Sequence, residues 1–221
     1  MPSEIYCLGF DTSAAHCAAA LLRDGELLDS RLEEMGKGQA ERLMPMMIEM
    51  LDAHGLTWSD LAVIGVGTGP GNFTGVRIAV SAARGLALSL GVPAVGVSLF
   101  EARAYGLPRP LAVVEDARRG DVYLQIFREA EPAGEAPQLL PLAEAAALVE
   151  GFALTGTASE SAYALASDAM NINEDRGMPI AEAIARLAEA RRLTPQLRPA
   201  PLYLRAADAA PPSDPPPVIL P

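Results

Sequence analysis

Three short stretches of this chain carry residue types able to hold a phosphate or a metal. Asp11-Thr12-Ser13 sets a carboxylate and two hydroxyls at the end of an apolar run. Such a group can hold a cation or a phosphate, yet the glycine that would let backbone approach an anion is missing, with Thr12 and Ala14 in its place. The simpler reading is a hairpin turn capped by its own polar side chains. The second stretch is Gly67-Thr68-Gly69-Pro70-Gly71-Asn72-Phe73-Thr74-Gly75. It precedes an expected helix, and the free amides of a helix N-terminus favour anions. No Lys-Ser/Thr follows its last glycine, so it is no Walker A loop. Its spacing does not fit a dinucleotide fingerprint either. Two readings stay open. One is a vestigial nucleotide or anion site using Asp11, Thr12, Ser13, Gly69, Gly71, Thr74 and Arg77. The other is a tight strand-to-helix turn, with Thr74 capping and the glycines admitting close packing. The third stretch is Arg118-Arg119, which reads as solvated surface or as an interface or RNA-proximal pair.

The wider inventory offers little catalysis. The two histidines, His16 and His54, form no HxxxH or HExxH pattern, and the two cysteines, Cys7 and Cys17, form no CxxC. No metal site is expected, and the cysteines read as a reduced pair packed in a core. No GxSxG is present to signal a hydrolase nucleophile. No catalytic residue is assigned. The net charge is −11 and the pI about 4.6. RNA binding by this chain alone would want a basic surface, so any RNA should be held mostly by a partner. The N-terminus lacks the basic and apolar regions of a secretory signal, and no long uncharged apolar run is present, so a cytoplasmic protein without a membrane span is expected.

The elements that must position these stretches read in order. Strands are expected at Ile5–Phe10, Cys17–Leu22 and Leu27–Leu32, with Asp24-Gly25 supplying the turn of a hairpin. A helix follows over Gln39–His54, ended by Gly55. Leu61–Val66 is an unbroken apolar strand, expected to be buried on both faces. A helix from about Val76 to Leu90, a strand over Val92–Val97 and a short helix over Leu99–Tyr105 complete a first lobe, 1–107. The second lobe, 108–207, should hold a strand pair around 116–121, helices near Leu142–Val149, Ser159–Ala166 and Ile180–Arg192, and a strand at Phe152–Thr155. Residues 208–221 form a proline-rich tail, expected to be disordered.

The helix Gln39–His54 speaks most about partners. Leu43, Met47, Met50 and Leu51 share one face, and Met44, Met46 and Ile48 widen the apolar arc. A helix apolar on more than one side must be covered on more than one side. Methionines adapt to varied surfaces. Leu43, Met44, Met46, Met47, Met50 and Leu51 are therefore expected at a partner interface, the alternative being a helix sandwiched inside its own fold.

Three antiparallel strands followed by parallel crossovers match the unit of the actin, sugar-kinase and Hsp70 superfamily, a two-lobed α/β fold with mixed sheets (the ASKHA, ribonuclease H-like class), here with a reduced second lobe. Gly69-Pro70-Gly71-Asn72-Phe73-Thr74-Gly75-Val76-Arg77-Ile78 resembles the GPGSFTGxRIG stretch of the TsaB (YeaZ) family, with Asn72 where Ser is usual. Asp11-Thr12-Ser13 resembles that family's first hairpin, Ala117 to Tyr123 its ARRGEVY turn, and Pro201 to Arg205 its closing segment. The resemblance runs from 5 to 205, weakest over 128–180. One departure is Gln39, which stands where the family often has His.

The resemblance implies a non-catalytic scaffold with a degenerate nucleotide site. It implies a homodimer, and a heterodimer with a catalytic paralogue, TsaD, formed through helices of the first lobe. TsaD would carry the metal and transfer threonylcarbamoyl from threonylcarbamoyl-AMP to N6 of adenosine 37 in tRNAs reading ANN codons. A P-loop ATPase, TsaE, would join the complex. ATP and a metal ion are expected in the partner subunits and none in this chain alone, with tRNA held only through the complex. The alternatives are an independent kinase or ATPase of the same superfamily, for which Asp116 is the one acid on offer, and a metallopeptidase, which lacks its histidines.

Overall fold

Asp24 and Gly25 both take positive φ, 50° and 79°, the geometry of a tight hairpin turn whose twist matches its strands. The computed structural model describes residues 4–129, 133–171, 177–195 and 197–205; the tail expected over 208–221 lies outside them. The turn joins β2 (His16–Arg23) to β3 (Glu26–Glu34), and β2 also pairs antiparallel with β1 (Tyr6–Asp11). Two parallel strands, β4 (Leu61–Gly67) and β5 (Ala94–Val97), complete a mixed sheet of order β3-β2-β1-β4-β5. The crossovers are α1 (Gln39–Ala53) and α2 (Phe73–Leu90), and α3 (Leu99–Ala104) leads out. Gly55, at φ 66°, follows the C-cap of α1 as expected.

A second sheet has the order β10-β9-β6-β7-β8. Its strands are β6 (Leu111–Asp116), β7 (Asp121–Phe127), β8 (Gln138–Pro141), β9 (Ala153–Thr155) and β10 (Met170–Asn171), with α4 (Leu142–Leu148) and α5 (Ser159–Leu165) packed on it. The short outer strands β8 and β10 were not anticipated, because neither carries a run of alternating or β-branched residues long enough to stand out. Phe100 and Ala104 of α3 pack with Leu111, Val113 and Phe127, joining the two sheets.

The first sheet is covered on both faces. One side is the core of α1 and α2. The other is α6 (Ile180–Arg191) with Ala102 of α3. This corrects the lobe boundary at 107/108: α6 comes late in the chain but packs on β1, β4 and β2 of the first sheet. Glycines make room for it. A Cβ on Gly9 would lie 2.6 Å from the Ala181 oxygen and the Ala185 nitrogen, and one on Gly65 would lie 2.8 Å from Ala188 Cβ. Neither approach is compatible with a side chain.

The expected interface on α1 is also corrected. Leu43, Met46, Met47, Met50 and Leu51 are all within 2 % of fully buried, packed against Leu8, Phe10, Leu21 and the α2 face in the chain's own core. Met44 is only partly covered and Ile48 is 42 % exposed. The broad apolar arc is wide because sheet and α2 both cover it, which was the alternative reading. By length and composition α2 could cross a membrane. It nonetheless carries Arg77 and Arg84 and buries Val76, Ala79, Val80 and Ala83 against the sheet.

Candidate functional site

The two glycine- and hydroxyl-bearing stretches meet, but they meet each other. Asp11 ends β1 and is 2 % exposed. Its Oδ2 accepts from the Ser13 amide at 2.9 Å and the Ser13 hydroxyl at 2.8 Å, and His16 Nε2 lies 2.8 Å away. This polar knot fixes the β1–β2 turn, and His16 was not foreseen in it. The turn is then pressed against the loop between β4 and α2. The Thr12 hydroxyl donates to the Gly75 carbonyl at 2.7 Å, and the Asn72 amide donates to the Ser13 carbonyl at 2.6 Å. A Cβ on Gly71 would overlap the Ser13 carbonyl, and one on Gly75 the Thr12 carbonyl. The glycines are spent on protein contact where a phosphate would need open amides.

The start of α2 is closed in the same way. The helix begins at Phe73, earlier than expected, and its cap is Asn72, not Thr74. Asn72 Oδ1 accepts from the amides of Thr74 at 3.0 Å and Gly75 at 3.2 Å. An Asn at the cap supplies the acceptor that a bound anion would otherwise supply. Thr74 sits exposed inside the first turn. Gly69, at φ 83°, turns the loop beneath the C-terminal segment, where the Leu202 amide donates to the Thr68 carbonyl at 2.8 Å.

Arg77 does not join the loop. Its Nε donates to the Tyr203 hydroxyl at 2.8 Å, and its guanidinium lies 3.7 Å from the centre of the Phe73 ring. Phe73 and Tyr203, each 48 % exposed, have ring centroids 5.3 Å apart. This cation–aromatic cluster was missed because Tyr203 lies far along the chain; no local spacing could have disclosed it.

Between the two sheets lies a cleft of about 740 Å³. Ser13, Asn72 and Phe73 line one wall, and Glu115, Asp116, Arg118, Thr157 and Arg205 the other. Glu115 is buried, held by Arg103 Nε at 3.1 Å and the Thr157 hydroxyl at 2.7 Å. Arg205 is engaged with Asp121 at 2.8 Å and the Ala117 carbonyl at 3.1 Å. Arg118 and Arg119 take positive φ, 64° and 57°, at the exposed tip of the β6–β7 turn. Only Arg118 lines the cleft. Among the described residues, no group of three or more His, Cys, Asp or Glu is placed to hold a metal. Cys7 and Cys17 are free and buried on opposite faces of the sheet. Burial pushes both thiols up, Cys17 to about 11.

Known proteins resemble this chain in sequence and in fold. The family model described as TsaD, tRNA N6-adenosine threonylcarbamoyltransferase, matches residues 33–136. The tRNA threonylcarbamoyladenosine biosynthesis protein TsaB of Escherichia coli K12 is 35 % identical over 130 residues, covering 56 % of this chain and 55 % of that protein. The TsaB of Bacillus subtilis is 36 % identical over 127 residues, covering 55 % and 54 %. The matched stretch thus spans about half the length of these curated relatives. The crystal structure of YeaZ from Pseudomonas aeruginosa superposes with a TM-score of 0.72 at 29 % identity, over 90 % of this chain and all of that one. Component A of the (R)-2-hydroxyglutaryl-CoA dehydratase of Acidaminococcus fermentans, at TM-score 0.53 and 14 % identity, shares the fold alone. In its mixed sheets and actin-like α/β architecture, and in sequence over about half of its length, the chain resembles the TsaB/YeaZ family.

Proposed function

We propose that this chain is a non-catalytic scaffold and activating subunit of the complex that transfers threonylcarbamoyl from threonylcarbamoyl-AMP to N6 of adenosine 37 in tRNAs reading ANN codons. The observation that carries the reading is the packing of Thr12 and Ser13 onto Asn72 and Gly75, which fills the place of a phosphate cradle with protein. In this reading the catalytic paralogue TsaD docks on the first-lobe helices, with TsaE joining and the homodimer as the alternative assembly. ATP and the metal ion belong to the partner subunits. The complex, not this chain, holds most of the tRNA, in keeping with the net charge of −11. The cytoplasm is the proposed location.

The docking surface of α1 and α2 must then be their solvent side. Ile48 is exposed there on α1, and Phe73 on α2. The deciding experiment is an omit-one reconstitution with unmodified tRNA, threonine, bicarbonate, ATP and the partner proteins, with the modified nucleoside quantified by mass spectrometry. Modification that requires the chain, and none by the chain alone, is the expected result. Unchanged modification on omission overturns the proposal. ATP turnover by the isolated chain would restore the kinase reading.

A further inference from the structure

The open edge of the first sheet carries a groove that the glycine loop and the interlobe cleft do not use. It has a volume of about 740 Å³ and lies between the C-terminal half of α2, the start of β5 and the segment after α6. Among the described residues, β5 is the last strand of its sheet and pairs only with β4. Three leucines stand around the groove in water: Leu88 at 83 %, Leu193 at 86 % and Leu197 at 94 % exposure. A single exposed leucine means nothing, but three converging on one concavity form a patch of the kind that marks contact sites. The charge is equally one-sided. Arg84, Arg192 and Arg198 line the groove, and among the described residues no Asp or Glu does, in a chain whose acids outnumber its bases by 28 to 17. Arg192 donates to the Glu189 carbonyl at 3.1 Å; none of the three is in a salt bridge among the described residues.

We infer that this groove docks a short segment of a partner protein that combines carboxylates with aliphatic or aromatic side chains. The leucines supply the apolar contact and the arginines select acidic flanks, giving the occupant both its affinity and its sign. RNA would match the arginines but leave the three leucines unsatisfied, and a second copy of this chain would need an equally self-complementary face. The inference does not rest on the tRNA-modification reading.

The test is selection of a random linear peptide library on the full chain, counter-selected on an Arg84→Glu/Arg198→Glu variant. Selected peptides should be enriched in Asp and Glu together with Leu, Ile or Phe. Their binding, measured by fluorescence anisotropy, should weaken about ten-fold or more both in that variant and in Leu193→Ser/Leu197→Ser. Those two leucines are almost fully exposed, so the second variant keeps the fold, which a matching circular dichroism melt verifies. Basic or charge-neutral peptides, or none surviving counter-selection, overturn the inference. So does binding of a single-stranded oligouridylate that the arginine variant abolishes, which would assign the groove to RNA. A dimer in analytical ultracentrifugation that the leucine variant dissociates would assign it to a second copy instead.

Discussion

Gly75 and Asn72 together decide what the loop before α2 can do. A methyl group on Gly75 would press on the backbone oxygen of Thr12, which has nowhere to go. Gly75→Ala should therefore cost about 1–3 kcal/mol as overpacking, read as a lower urea midpoint at unchanged slope. Gly85, in the same helix, meets nothing within 4 Å, so Gly85→Ala should raise stability by about 0.5–1 kcal/mol through helix propensity. Equal effects of the two would show that the close approach at Gly75 does not matter. Asn72→Ala removes the cap and should cost about 1 kcal/mol, whereas Asn72→Ser should be nearly neutral. A serine oxygen at this place can accept from the same helix amides that Asn72 caps. Glu189 gives a pH signature. It is 9 % exposed on α6, accepts from the Gly25 amide at 3.2 Å, and burial raises its pKa. The folded state therefore holds this proton more tightly than the unfolded state does, and stability falls as pH rises from the ordinary carboxylate range through the raised value. Glu189→Gln should melt higher than the parent above that raised value, and the gain should vanish as pH falls to about 4.3. A gain independent of pH would place its origin elsewhere.

At the level of the element, α1 shows what a helical pattern discloses and what it withholds. The width of its apolar arc was legible, and so was its end at Gly55. What covers the arc was not, because a helix lying in the angle between a sheet and a second helix has the same pattern as one shared with a partner. The structure chooses the former for Leu43, Met46, Met47, Met50 and Leu51. Leu43→Asp or Met47→Asp should accordingly unfold the chain, since an unpaired carboxylate in that core has no partner. Met47→Ala should cost about 2–5 kcal/mol. Ile48→Asp, at an exposed position, should leave stability within about 0.5 kcal/mol. If α1 also forms the docking surface, Ile48→Asp should weaken co-purification with the catalytic partner. A folded Met47→Asp protein in thermal melts would contradict the burial. The Phe73–Arg77–Tyr203 cluster belongs to the same lesson, for Phe73 and Arg77 share a helix while Tyr203 arrives from the far end of the chain.

For the first sheet, the succession of strands along the chain and their mixed pairing could be read from apolar runs and the Asp24-Gly25 turn, whereas β8 and β10 of the second sheet could not. The membership of α6 could not, because chain order assigns a late helix to the late lobe. Only the small residues hint at it. Gly9 and Gly65 on two adjacent strands, and Ala181, Ala185 and Ala188 on the helix, form matching surfaces that come within contact of each other. If that face is essential, the first lobe is not 1–107 but 1–107 together with the helix. Without α6, the apolar residues Cys7, Ala18, Ala20, Leu22, Val63 and Val95 lose their cover. A fragment of residues 1–107 should then bind a hydrophobic dye and give a poorly dispersed nuclear magnetic resonance spectrum, as a collapsed chain does. Joining residue 107 to residue 178 through a flexible linker, which omits the second sheet but restores the helix, should return a dispersed spectrum and a cooperative melt, since α6 also packs on α3 beside the junction. A cooperative melt from residues 1–107 alone would show that the three antiparallel strands and the α1–α2 layer suffice. α6 would then be a late addition to a lobe already able to fold.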